Sequence, residues 1–133
     1  MGGAFADAPI LALLMETGYP EAVATLVAVV DGSTSMYFSN GGGIIGAGDK
    51  PPVAAASRHW LEGGALYLSQ LEPSGDEPGL PAVGMTQFIA VTPSGLRIGG
   101  AVEDDLGNQR HALSPLFHAA HAVITQNRLA DGF

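Results

Sequence analysis

The sequence contains no cysteine. That excludes a disulfide framework, a thiolate metal site and a cysteine nucleophile together. Basic residues are nearly as scarce: Lys50, Arg58, Arg97, Arg110 and Arg128 stand against 13 acids, for a net charge of −8. They are scattered along the chain, so no basic patch forms to neutralise phosphates. Binding to nucleic acid or docking on an anionic membrane is therefore not expected. Charged residues of both signs reach only 14%, against a usual figure of about 25%. No apolar run approaches the ~18 residues of a membrane span. The N-terminal stretch MGGAFADAPILALLMETG lacks the basic region of a signal peptide. The expected location is cytoplasmic.

What is present is small and apolar. Hydrophobic residues make up 47% of the 133 positions, and 19 are glycine. This length suits a single domain, 1–133, with a real core. With so few charges, much of the surface must be Ala, Gly, Ser and Thr, and some apolar surface is expected to be covered by a partner or a second copy.

Punctuation along the chain suggests the elements. Asp7 as N-cap, Pro9 just inside, the stripe Ile10, Leu11, Leu13 and Leu14, and Gly18 as a stop predict a first helix. Asp31-Gly32 between two apolar, β-branched runs predicts a hairpin with strands at 24–30 and 34–39, resuming near Gly43–Gly46. Pro51-Pro52 opens a helix over 52–71 with Val53, Ala56, Trp60, Leu61, Gly64, Leu68 and Leu71 at helical spacing. Gly63-Gly64 costs roughly 1 kcal/mol per glycine in helix propensity, which a close approach to a sheet or a second helix would explain. Residues 72–84, rich in Pro, Gly and acid, predict an exposed loop. Residues 85–91 and 96–102 predict a second hairpin around Thr92-Pro93-Ser94-Gly95. After a polar loop over 103–111, Ser114-Pro115 opens a terminal helix to about Arg128. The expectation is an α+β domain of order α-ββ-α-ββ-α, with an antiparallel sheet of four to five strands and three packed helices.

Several residue sets carry possible chemistry. Gly41-x-Gly43-x-x-Gly46 matches a dinucleotide fingerprint on paper. Asp49-Lys50-Pro51-Pro52, however, separates it from the helix whose N-terminus would bind phosphate, and Ile44-Ile45 suit a strand. A bulged, glycine-rich strand edge is the favoured reading. His118 and His121, three apart on the last helix, could join His111 or the Glu103-Asp104-Asp105 cluster in a metal site. Two histidines at that spacing are a weak signal, and more often one is a half-buried core neighbour, here His121 between Phe117 and Ile124, and the other is solvated. Asp76-Glu77 and Glu103-Asp104-Asp105 are paired acids of the kind that solvated loops carry. No serine stands in a Gly-x-Ser-x-Gly elbow. No cofactor is expected. For contacts with a partner, Arg58 beside Trp60 and the backbone-exposing Gly42, Gly43, Gly63 and Gly64 are the candidates, with Trp60 itself assigned to the core.

The hairpin VAVVDGSTSMYFS, the long helix VAAASRHWLEGGALYLSQL and the later strands FIAVTPSGLRIGGAVEDD together resemble the roadblock family, relatives of longin and profilin-like domains. The glycine run departs from that pattern, and two later strands stand where the family has three. The resemblance implies a non-enzymatic homodimer, built on a long helix and an edge strand, that serves as a platform for a small GTPase or another partner. The alternative is a small-molecule- or metal-binding protein using Gly41–Gly48 with His111, His118 and His121.

Overall fold

A computed structural model describes residues 9–41, 43–45, 50–76 and 78–130. The strands are β1 (Ala12–Gly18), β2 (Val23–Val29), β3 (Thr34–Phe38), β4 (Gly43–Ile45), β5 (Glu72–Ser74), β6 (Met85–Thr92) and β7 (Gly95–Val102). The helices are α1 (Pro51–Leu66), α2 (Glu103–Gly107) and α3 (Ser114–Ala130). The strands form one seven-stranded antiparallel sheet in the order β4-β3-β2-β1-β6-β7-β5. The fold is therefore α+β with an antiparallel sheet and packed helices, as expected. The sheet is larger than four to five strands, and the element order differs.

The largest correction concerns residues 12–18. The expected first helix is instead β1, a central strand paired along its whole length with β2 and for six of its residues with β6. Ala, Leu, Met and Glu favour helices locally, but tertiary burial overrides propensity. Leu13 and Met15 are buried on one face of the sheet while Leu14 lies on the other. Gly18 is no helix stop. A Cβ there would collide with the carbonyl of Ala82, so the missing side chain lets the 81–82 segment cross the strand end. Two further elements fall in expected loops. β5 starts at Glu72, and α2 occupies the start of the acidic 103–111 segment, where Glu103, Asp104 and Asp105 in the first turn complement the helix dipole.

Both hairpins form close to their expected limits. In the first turn Gly32 takes φ +101° and the Asp31 carboxylate accepts a hydrogen bond from the Ser33 N–H at 2.9 Å. That bond holds the Asp31 carboxyl below its ordinary range. In the second, Gly95 takes φ +125° and the Thr92 hydroxyl donates to its carbonyl at 2.7 Å.

The helices cover one face only. A Cβ on Gly64 of α1 would lie 2.8 Å from Leu13 Cδ2 and 2.9 Å from Ile10 Cδ1, and one on Gly63 would lie 3.6 Å from Leu116 of α3. The costly glycine pair thus lets α1 settle against β1 and α3 at once. The hydroxyls of Thr34 (β3) and Ser57 (α1) meet at 2.7 Å in the same buried layer. Trp60, fully buried, joins Leu13, Leu26, Phe88, Leu116 and Val123 in the core. On β7, Gly99 makes room for Leu71 and Leu113. Arg97 reaches back to donate to the Leu71 carbonyl at 2.8 Å.

Candidate interaction face

Alternation along a strand means that if Leu13, Met15 and Thr17 point to the helices, then Ala12, Leu14 and Glu16 point the other way. Register then builds the opposite face row by row. One row crosses the sheet as Val27 on β2, Leu14 on β1, Ile89 on β6 and Ile98 on β7. The next runs Val29, Ala12, Val91 and Leu96 on the same strands. All of these are partly exposed apart from Ile89, which its neighbours shield to 7%. No charged side chain interrupts either row. The first row ends in Ser35 on β3 and Glu72 on β5, a polar margin on each side.

The third row is polar: Tyr37, Thr25, Glu16 and Gln87. Tyr37 is 43% exposed, and its ring extends the apolar surface to β3. Glu16 is 9% exposed, so its carboxylate needs partners. Gln87 Nε2 supplies one at 2.6 Å, and also donates to the Gly79 carbonyl at 2.8 Å. The Thr25 hydroxyl supplies another at 3.4 Å. These bonds tie the 78–83 segment across one end of the face, and among the described residues no other segment crosses the two apolar rows, which stay partly exposed.

With strands ~4.8 Å apart, the two apolar rows cross four strands, a width of about 19 Å, and cover roughly 250 Å² in plan. A standard interface buries about 800 Å² per partner around an apolar centre with a polar rim. The rows have the anatomy of the apolar centre of such an interface, with the polar third row and the short outer strands as its margin.

The residues singled out from sequence take varied places. Arg58 is exposed on α1, apart from the open sheet face, next to exposed His59. Gly63 and Gly64 are taken up by packing within the fold. Gly43 begins edge strand β4 opposite Tyr37, as the strand-edge reading expects, while Gly42 and residues 46–49 lie outside the described residues. Asp104 and Asp105 are both engaged by Arg110, at 2.9 and 3.1 Å, and those carboxylates hold the guanidinium pKa above its ordinary value. Glu77 lies outside the described residues. His118 and His121 flank Phe117, with ring centroids 5.7 and 4.4 Å from its own. Burial pushes the His121 pKa down, with the nearby Glu103 charge opposing and that of His118 adding to the shift. His111 Nδ1 accepts from the Leu113 N–H at 3.0 Å. Among the described residues no cluster of three or more His, Asp or Glu side chains could hold a metal. No described helix is long and apolar enough to cross a membrane.

An apolar surface for a partner was expected from composition, but its place on the sheet was not. Its signal lies in β6, where Met-Thr-Gln-Phe-Ile-Ala-Val is apolar at both parities over its second half. Such a run marks a strand covered on both sides, and a chain with two long helices can cover only one face of a broad sheet. Comparison with protein-family models, with curated proteins and with solved structures finds no match.

Proposed function

We propose that the chain is a non-enzymatic protein-interaction module that pairs with a second copy through the open face of its sheet. The observation that carries this is the pair of uncharged apolar rows, Val27-Leu14-Ile89-Ile98 and Val29-Ala12-Val91-Leu96, opposite the helices. A two-fold pairing lays a surface against itself, and an apolar strip bordered by polar residues is complementary to itself. Glu16, the one carboxylate beside the strip on β1, enters such a contact already bonded by Gln87. The roadblock resemblance points the same way as regards a dimer, but the dimer proposed here uses a sheet face rather than a long helix and an edge strand. The small GTPase that the resemblance implies would dock on the resulting dimer.

Sedimentation over a series from about 1 to about 200 μM tests the pairing. The expected result is a reversible monomer–dimer equilibrium. A strict monomer across the whole series would sink it.

A further inference from the structure

The two ends of the open face differ, because one of them carries a strap. Alternation puts Gly18 on the same side of β1 as Ala12, Leu14 and Glu16. A Cβ on Gly18 would collide with the Ala82 carbonyl and lie 2.9 Å from the Pro81 oxygen, so backbone rests directly on the face there. Gln87 holds the same segment at the Gly79 carbonyl, and the Gly84 N–H donates to the Gly18 carbonyl at 2.9 Å. Residues 78–83 thus stand above the sheet over β1 and β6, on the Glu16 side of the apolar rows. At the opposite end, Asp31 and Ser94 are exposed in their turns.

This asymmetry decides how two copies can stack. Packed sheets sit about 10 Å apart, and a two-fold axis in the gap runs either along the strands or across them. An axis along the strands sets like ends together. Both straps then crowd into one end of the gap, and the Glu16 carboxylates of the two copies meet in a space closed to water, a costly approach of like charges. An axis across the strands sets the strapped end of each copy over the turn end of the other. With that axis between the two apolar rows, Leu14 sits on the partner's Ala12, Val27 on the partner's Val29, and Ile89 on the partner's Val91. Each Glu16 is then three residues from the axis, so the two carboxylates stand about 20 Å apart at ~3.4 Å per residue. We infer that the pair stacks β1 over β1 with strands antiparallel, each strap walling one end of its partner's face. Leu80 and Val83, 65% and 64% exposed in the strap, border the partner's Thr92–Gly95 turn. This sense presupposes the pairing proposed above.

The absence of cysteine makes the sense readable. A nitroxide is attached to Ser94→Cys, in the exposed second turn, and the labelled protein is mixed with isotope-enriched parent at about 200 μM. The expected result is loss of the Leu80 and Val83 amide signals in the enriched copy. A second measurement uses charge. Val27→Lys and Val29→Glu should each associate at least about tenfold more weakly alone and regain most of that loss when mixed, since lysine then meets glutamate. Thermal melts confirm that each variant is folded. A dimer whose Leu80 and Val83 signals survive while Gly32 and Ser33 broaden overturns the inference and leaves the face standing. So does rescue of Val27→Lys by Ile98→Glu instead of Val29→Glu. A parent that stays monomeric by sedimentation over the same range refutes the pairing itself, and its sense with it.

Discussion

Placing a lysine at Val27 separates the stability of the monomer from its association. Val27 lies on β2 opposite Leu14, in the first apolar row, and is partly exposed. In a monomer the change is mild. The lysine stem covers its neighbours while the ammonium stays in water, and losing one half-buried valine costs about 1 kcal/mol. In a two-fold pair the position occurs twice. An unpaired ammonium taken out of water costs several kcal/mol even after relaxation. Taking only ~1.5 kcal/mol per copy gives ~3 kcal/mol per dimer, or roughly 150-fold in dissociation constant. General repulsion works in the opposite direction, because one added positive charge takes the net from −8 to −7. Ala55→Lys, at an exposed position on α1, carries the same charge change away from the face. Sedimentation of the three proteins, with thermal melts to confirm folding, should show weak association in Val27→Lys alone. A folded Val27→Lys that dimerises within about threefold of the parent would refute the assignment. So would an equal loss in Ala55→Lys.

Other consequences concern the monomer. Gly18→Ala should destabilise by about 1–3 kcal/mol in urea melts, because its Cβ meets the Ala82 backbone, whereas Gly63→Ala, with Leu116 at 3.6 Å, should gain up to ~1 kcal/mol of helix propensity. Ser57→Ala leaves the buried Thr34 hydroxyl only its long 3.5 Å bond to the Gly32 carbonyl and should cost about 1–3 kcal/mol, most of which Ser57→Ala/Thr34→Val should recover. His121 has a folded pKa below its ordinary 6.5, so the unfolded chain takes up its proton first. Stability should therefore be full above about pH 6.5 and fall as the pH drops through that value toward the lower folded pKa. The urea midpoint should lose less between neutral and mildly acidic pH in His121→Gln than in the parent.

Much of the architecture was legible where local chemistry and tertiary structure agree. Asp31-Gly32 and Pro93-Ser94-Gly95 specify their turns through side-chain bonds and positive φ, and both hairpins formed as the residues indicated. Pro51-Pro52 and Ser114-Pro115 marked two helix starts to within a residue. Ala12–Gly18 misled because a short apolar run satisfies a helical stripe and an alternating strand equally. The arbiter is pairing on both sides by β2 and β6, which no local rule contains. The groove lined by Gln109, His111, Ser114 and His118 was partly legible: His111 and His118 were marked as candidate metal ligands and Ser114 as a cap, while the φ of +60° at Gln109 leaves no signature in composition.

The margins of the sheet bear on how far assembly can go. β4 and β5 have three residues each, and Pro73 removes a backbone donor from the β5 edge. Edges this short give an incoming strand little to zip onto. With helices over one face and stunted rims at both sides, the open face is the broad apolar surface left among the described residues. A unit that joins others through a single surface has a valence of one. If the proposed pairing forms, two such units cover each other's open face, and growth would then stop at the pair rather than run on into filaments.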